Sequence, residues 1–142
     1  MYLKLTNMAT QIFLNLPVKD LNKSIEFFTR LGYTFNPQFT DEKATCMIIS
    51  DTILVMLLVE PFFQSFTKKE IVDTSKAVEC IICLSADNKD AVNNIVDKAQ
   101  AAGAIIPNEA TDYGWMYQHS FNDLDGHHWE YFWMDPAGPP KQ

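Results

Sequence analysis

A chain of 142 residues and 16.2 kDa has room for one domain, residues 1–142, whose core needs no disulfide or metal staple. Eleven Lys and Arg against eighteen Asp and Glu leave a formal net charge of -7, which argues against nucleic acid or an anionic membrane surface as partner. Aromatic residues make up 13% of the chain, too many for a disordered acidic segment.

In chain order, residues 1–7 read as an extension before Met8, which is the better structural start. Residues 11–16 form an apolar strand in which Ile12, Leu14 and Leu16 alternate with Gln11, Phe13 and Asn15. After Pro17 and Val18, Asp20 is placed to cap a helix over 21–31, with Leu21, Ile25, Phe28 and Leu31 on one face and Gly32 ending it. Strands follow at 33–37, 44–49 and 52–59, the last two joined by a tight turn at Ser50-Asp51. Residues 60–77 read as a linker with a short helix over 62–69.

The second half repeats the first. A strand over 79–86 leads through a capping Asp87 to a helix over 88–102 that buries Val92, Ile95, Val96 and Ala99 and stops at Gly103. Strands at 104–107, 115–122 and 127–133 follow, the last pair joined by Asp123-Leu124-Asp125-Gly126, a hairpin signal. Each half is βαβββ, giving modules at 9–59 and 78–135. The tail 136–142 is too rich in Pro and Gly to continue an element.

Two tandem βαβββ units resemble the vicinal oxygen chelate superfamily of glyoxalases, bleomycin-resistance proteins and extradiol dioxygenases. The resemblance rests on Leu16-Pro17-Val18-Lys19-Asp20-Leu21 with Ser24, Phe27, Phe28 and Leu31-Gly32. It rests equally on Phe121-Asn122-Asp123-Leu124-Asp125-Gly126-His127-His128-Trp129-Glu130, which is similar to the family's D-P-D-G-N-x-x-E signature with Leu124 in place of proline. It implies an α+β fold in which the repeats form a U-shaped mixed sheet around a cavity, with helices on the convex side. It also implies a homodimer.

In the family's metal enzymes, four equivalent strand positions supply His, Glu or Gln ligands to a divalent ion. Matched motif to motif, those positions are Phe13, Met56, Ile81 and Glu130. Only Glu130 can ligate, so the resemblance implies a member without the usual metal centre and with no cofactor. A divalent metal would need ligands recruited off-motif from Glu130, His128, His119 and Gln11. On the last strand His128, Glu130 and Phe132 share one face, and Trp129, Tyr131 and Trp133 share the other.

Glu130 is the best candidate for a catalytic or anchoring group, because a carboxylate among aromatics needs a partner to offset its desolvation. Gln11, Phe13, Asn15, Met56, Trp115, His128 and Glu130 together describe an apolar pocket with a few polar anchors, the usual make-up of a small-molecule site. Tyr113 and Tyr117 flank Trp115 and add stacking surface. Cys80 and Cys83 match a C-x-x-C spacing, but residues three apart on a strand face opposite ways, so they read as buried, inert thiols. Lys68-Lys69-Glu70 reads as a solvated face. The odd cysteine count, the lack of a signal sequence and the lack of an apolar run near 18 residues place the chain in the cytoplasm.

The leading expectation is a glyoxalase/bleomycin-resistance-like protein that binds a small organic molecule, a cationic aromatic compound by the chemistry of the pocket. The alternatives are a metal-dependent lyase or dioxygenase, and a structural or regulatory dimer with a vestigial cavity.

Overall fold

The computed structural model describes residues 9–141; the expected extension and start at Met8 lie outside them. The chain divides into two compact units, one through Ile71 and one from Val72, a break inside the stretch read as linker.

In the first unit, β1 (Ile12–Val18), α1 (Leu21–Arg30), β2 (Thr34–Asn36), β3 (Ala44–Ile48) and β4 (Ile53–Val59) form a four-stranded mixed sheet of order β1-β4-β3-β2. β1 runs parallel to β4, and the other pairs are antiparallel. β1 continues through Pro17 and Val18, two residues beyond expectation, because an edge strand tolerates a residue with no N–H to give. Asp20 caps α1 by accepting from the Lys23 N–H at 3.0 Å. Leu16, Val18, Met47, Val55 and Leu57, all of one parity across the sheet, are almost wholly buried, as are Phe27 and Phe28 of α1. These seven residues are the centre of the unit's core. Pro37 ends β2 early and opens a 3-10 turn over Pro37–Phe39.

The expected linker helix is shorter and earlier than its apolar spacing suggests. α2 (Glu60–Gln64) follows β4 directly, with Pro61 in its first turn where a missing N–H costs nothing. It stops because the Gln64 side chain donates to the carbonyls of Thr67 and Lys69, at 3.0 and 2.7 Å, and bends the chain out of the helix.

In the second unit, β5 (Ile81–Ser85), α3 (Lys89–Ala101), β6 (Thr111–Asp112), β7 (Met116–Asn122) and β8 (His128–Met134) repeat the topology in the order β5-β8-β7-β6. Asn88, not Asp87, caps α3: its carbonyl oxygen accepts from the Ala91 N–H at 2.8 Å, and only a residue three before that donor can reach it. Val92, Val96 and Ala99 are buried, while Ile95 is half-buried. The strand expected over 104–107 is reduced to one bridge between Ile105 and Asn122. Pro107 cannot extend that ladder, and the fourth strand is the two-residue β6 instead.

The β7–β8 turn is built around a buried carboxylate. Asp123 accepts from the N–H groups of Asp125 and His127 and from the indole N–H of Trp129, at 2.9, 3.0 and 2.9 Å. Burial pushes its pKa up, and the neighbouring His127 and these three donors pull it down. Gly126 completes the turn at φ +81°, where a side chain would also run into the Thr74 hydroxyl, 2.5 Å from the position of a Cβ. Thr74 is held there by donating to the Asp125 carbonyl.

Candidate functional site

Strand register decides which candidates meet. In the second sheet Cys83 pairs with Glu130 and Glu130 with Ser120; Ile81 pairs with His128 and His128 with Asn122. These six residues therefore share one face. The opposite face belongs to α3: the Tyr117 hydroxyl donates to Asn93 of that helix at 2.7 Å, and Phe121, Trp129 and Tyr131 are buried there. The expected division of β8 into a Glu130 side and a Trp129 side is the one found.

Glu130 is three-quarters buried, and its neighbours are a thiol and an imidazole. Cys83 Sγ donates to Glu130 Oε1 at 3.4 Å, and His128 Nε2 lies 4.0 Å from Oε2. Among the described residues no Lys or Arg lies within 4.0 Å of this carboxylate. The Cys83 thiol is not buried, contrary to the expectation from its apolar surroundings. It is exposed on the Glu130 face, because β5 is an edge strand whose odd-numbered residues project away from the helix. Desolvation pushes its pKa up to about 11, with the charge of Glu130 and the hydrogen bond to it adding to the rise. The thiol is thus a donor at neutral pH and not a nucleophile.

The other candidates are not brought to Glu130. His119 pairs with Tyr131, so it lies on the helix-covered face, and neither of its buried ring nitrogens has a hydrogen-bond partner among the described residues. Trp115 precedes β7 with the parity of Tyr117, and its ring lies 6.5 Å from that of Tyr113. His127 is buried, and its Nδ1 donates to Glu79 at 2.6 Å. Sequence reasoning missed that pair, since its members are 48 residues apart with no shared motif.

In the first unit, Asn15 pairs with Met56 and Met56 with Cys46; Phe13 pairs with Leu54. Phe13, Asn15 and Met56 thus share the face opposite the Leu16 core. The Gln11 amide donates to the Asp51 carbonyl at 3.0 Å. Phe13 and Met56 are diagonal neighbours on their face, as Ile81 and Glu130 are on theirs, so the four positions matched to the family's ligand slots occupy equivalent rungs of the two repeats. A phenyl ring, a thioether and an alkyl group beside one carboxylate are not a ligand set for a hard or borderline divalent ion. Among the described residues, no group of three or more His, Cys, Asp or Glu side chains is placed to hold one. The off-motif set is split as well, because His119 points away from Glu130 and His128.

Residues 10–50 match the family model of the bleomycin resistance protein-like N-terminal domain. Together with the repeated βαβββ topology, this match supports the vicinal oxygen chelate superfamily, whose glyoxalase/bleomycin resistance/dioxygenase proteins share the fold. Within that class it is similar to a hypothetical protein from S. aureus, at 30% identity and a TM-score of 0.74, over 92% of this chain and 98% of the other. A family enzyme from Burkholderia phytofirmans superposes with a TM-score of 0.74 at 15% identity, over 89% and 99% of the two chains. An antibiotic-binding protein from a Streptomyces species gives 0.64 at 15% identity, over 91% and 98%. The latter two likenesses are of fold. No match was found among curated proteins. None of the described helices is long and apolar enough to cross a membrane.

Proposed function

We propose that this chain binds a small cationic aromatic molecule, with Glu130 as the anchoring carboxylate, and that it does so without the divalent metal centre of the family's enzymes. The observation that carries the reading is the state of Glu130, a largely buried carboxylate whose neighbours are a weak thiol donor and an imidazole 4.0 Å away. Charge-assisted pairing with an amine or amidine satisfies it better than either neighbour does. Phe132 on the same face offers an aromatic surface to the rest of the ligand. An antibiotic-binding protein among the structural neighbours shows that the fold hosts small-molecule capture. A cytoplasmic homodimer accompanies this reading, supported by the family resemblance.

Thermal-shift measurements with a panel of cationic aromatic compounds and thioether conjugates test it. At least one compound raises Tm, and Glu130→Ala abolishes the rise. A panel with no shift, or a shift kept in the variant, overturns the reading. Elemental analysis of untagged protein purified without chelator tests the metal clause separately, and a stoichiometric transition metal lost on Glu130→Gln overturns it.

A further inference from the structure

We propose that a cleft within the first unit, between α2 and the Asn15 face of its sheet, is a binding site for a neutral, flat heteroaromatic molecule that carries a hydrogen-bond donor. This goes beyond the Glu130 reading and rests on different residues. The cleft measures about 470 Å3 and is lined by Asn15, Leu58, Phe63, Phe66 and Thr67. That volume lies in the range of small-molecule sites.

Its aromatic wall is held in shape. The Ser65 hydroxyl donates to the Phe62 carbonyl at 2.6 Å, and Gln64 ties down the chain on either side of Lys68. The Phe62 ring meets that of Phe66 edge-on, 5.1 Å between centroids. Phe66 is 69% exposed even so, a large apolar surface that the fold itself does not use. Leu58, 2% exposed, forms the floor.

The polar groups select the ligand. The Asn15 amide donates through Nδ2 to the Phe13 carbonyl at 3.1 Å, which leaves Oδ1 as an acceptor with no partner among the described residues. Thr67 Oγ1 accepts from the Lys69 N–H at 3.2 Å and keeps its own proton to give. Among the described residues no charged side chain lines the cleft, so a charged ligand would lose hydration without compensation from them. A flat ring system with an adjacent N–H and C=O matches the ring wall, the acceptor and the donor together.

The probe is 2-quinolone, neutral at pH 7, titrated by isothermal calorimetry against the full chain. The controls are 1-methyl-2-quinolone, which lacks the donor, and decahydro-2-quinolinone, which keeps the lactam but is not flat. 2-Quinolone binds, the two controls bind at least about tenfold and threefold more weakly than it, Phe66→Ala weakens it about tenfold, and Asn15→Ala weakens it several-fold. Phe66 is exposed, so its replacement leaves folding intact. No binding at millimolar probe, unchanged affinity in Phe66→Ala, or equal affinity for the saturated lactam overturns the proposal. Affinity lost in Glu130→Gln but kept in Phe66→Ala overturns it too, while leaving the Glu130 reading in place.

Discussion

The two units share one topology and differ on one face. The rung Asn15–Met56–Cys46 of the first sheet corresponds to Cys83–Glu130–Ser120 of the second, and Phe13–Leu54–Ile48 corresponds to Ile81–His128–Asn122. On the helix side both repeats keep apolar bulk, with Leu14–Val55–Met47 against Ile82–Trp129–Phe121. Alternation lets the two faces change independently: one parity is held by the need for a core, and the other is free to carry chemistry. In this chain the first unit used that freedom for mostly apolar groups around one amide, Asn15, and the second for a carboxylate, a thiol and an imidazole.

The turns that close the last two strands of each unit differ as much, and the largest predicted effect lies there. Asp123 is buried and satisfies three donors, whereas Ser50, its counterpart between β3 and β4, is exposed and accepts from the N–H groups of Thr52 and Ile53 at 3.3 and 3.2 Å. Asp123→Ala strands two buried donors, the His127 N–H and the Trp129 indole N–H, with the half-buried Asp125 N–H beside them, and costs about 3 kcal/mol in urea denaturation. Ser50→Ala costs less than about 1 kcal/mol, because water replaces the hydroxyl. Equal costs would mean that the two turns are closed by the same kind of interaction.

A smaller effect, of opposite sign, is expected on the helix-covered faces. Thr45 and His119 occupy matching rungs; Thr45 is buried, and His119 is half-buried with both ring nitrogens shielded. Thr45 shares a hydrogen bond with Thr40 at 2.9 Å, while both nitrogens of His119 lack partners among the described residues. His119→Leu removes that penalty and stabilises the protein by about 1 kcal/mol, read as a higher urea midpoint. Thr45→Val gains nothing, because the hydroxyl it removes is already paired with Thr40, which also donates to the Asn36 carbonyl at 2.8 Å. A destabilised His119→Leu would show that the ring has a partner after all.

The smallest effect is on a rate. With the Cys83 pKa near 11, peptide-resolved alkylation by iodoacetamide is slow at pH 8 and climbs as pH approaches that value. Glu130→Gln removes a negative charge and the carboxylate acceptor, so the pKa falls and alkylation at pH 8 quickens several-fold. Desolvation, the larger cause, remains, so the thiol stays less acidic than a free one. An unchanged rate would uncouple the two groups.

Much of this contrast was legible before the structure. Strand alternation separated Glu130 from Trp129, and repeat spacing aligned Phe13 with Ile81 and Met56 with Glu130. What escaped was set by distance along the chain. A hairpin of unknown register gives no sign that His119 faces Tyr131 and Ser120 faces Glu130. An apolar run does not reveal which of its residues sits on an edge strand, so Cys83 looked buried. The Asp123 and His127 contacts depend on a tight turn and on Glu79 arriving from another strand, neither of which leaves a periodic trace. Local competition hid the rest, as with Asp87 and Asn88, adjacent residues that are equally good caps.

The indole N–H of Trp129 donates to buried Asp123, and its ring stacks over Phe121 at 6.4 Å. Trp115 and Trp133 belong to the same unit, and the first seventy-one residues contain no tryptophan. Intrinsic emission excited at the red edge of the ultraviolet band is therefore a private signal of the second repeat, while far-ultraviolet circular dichroism reports both. Melting curves from the two probes, overlaid without any label, reveal whether the halves come apart together or one after the other.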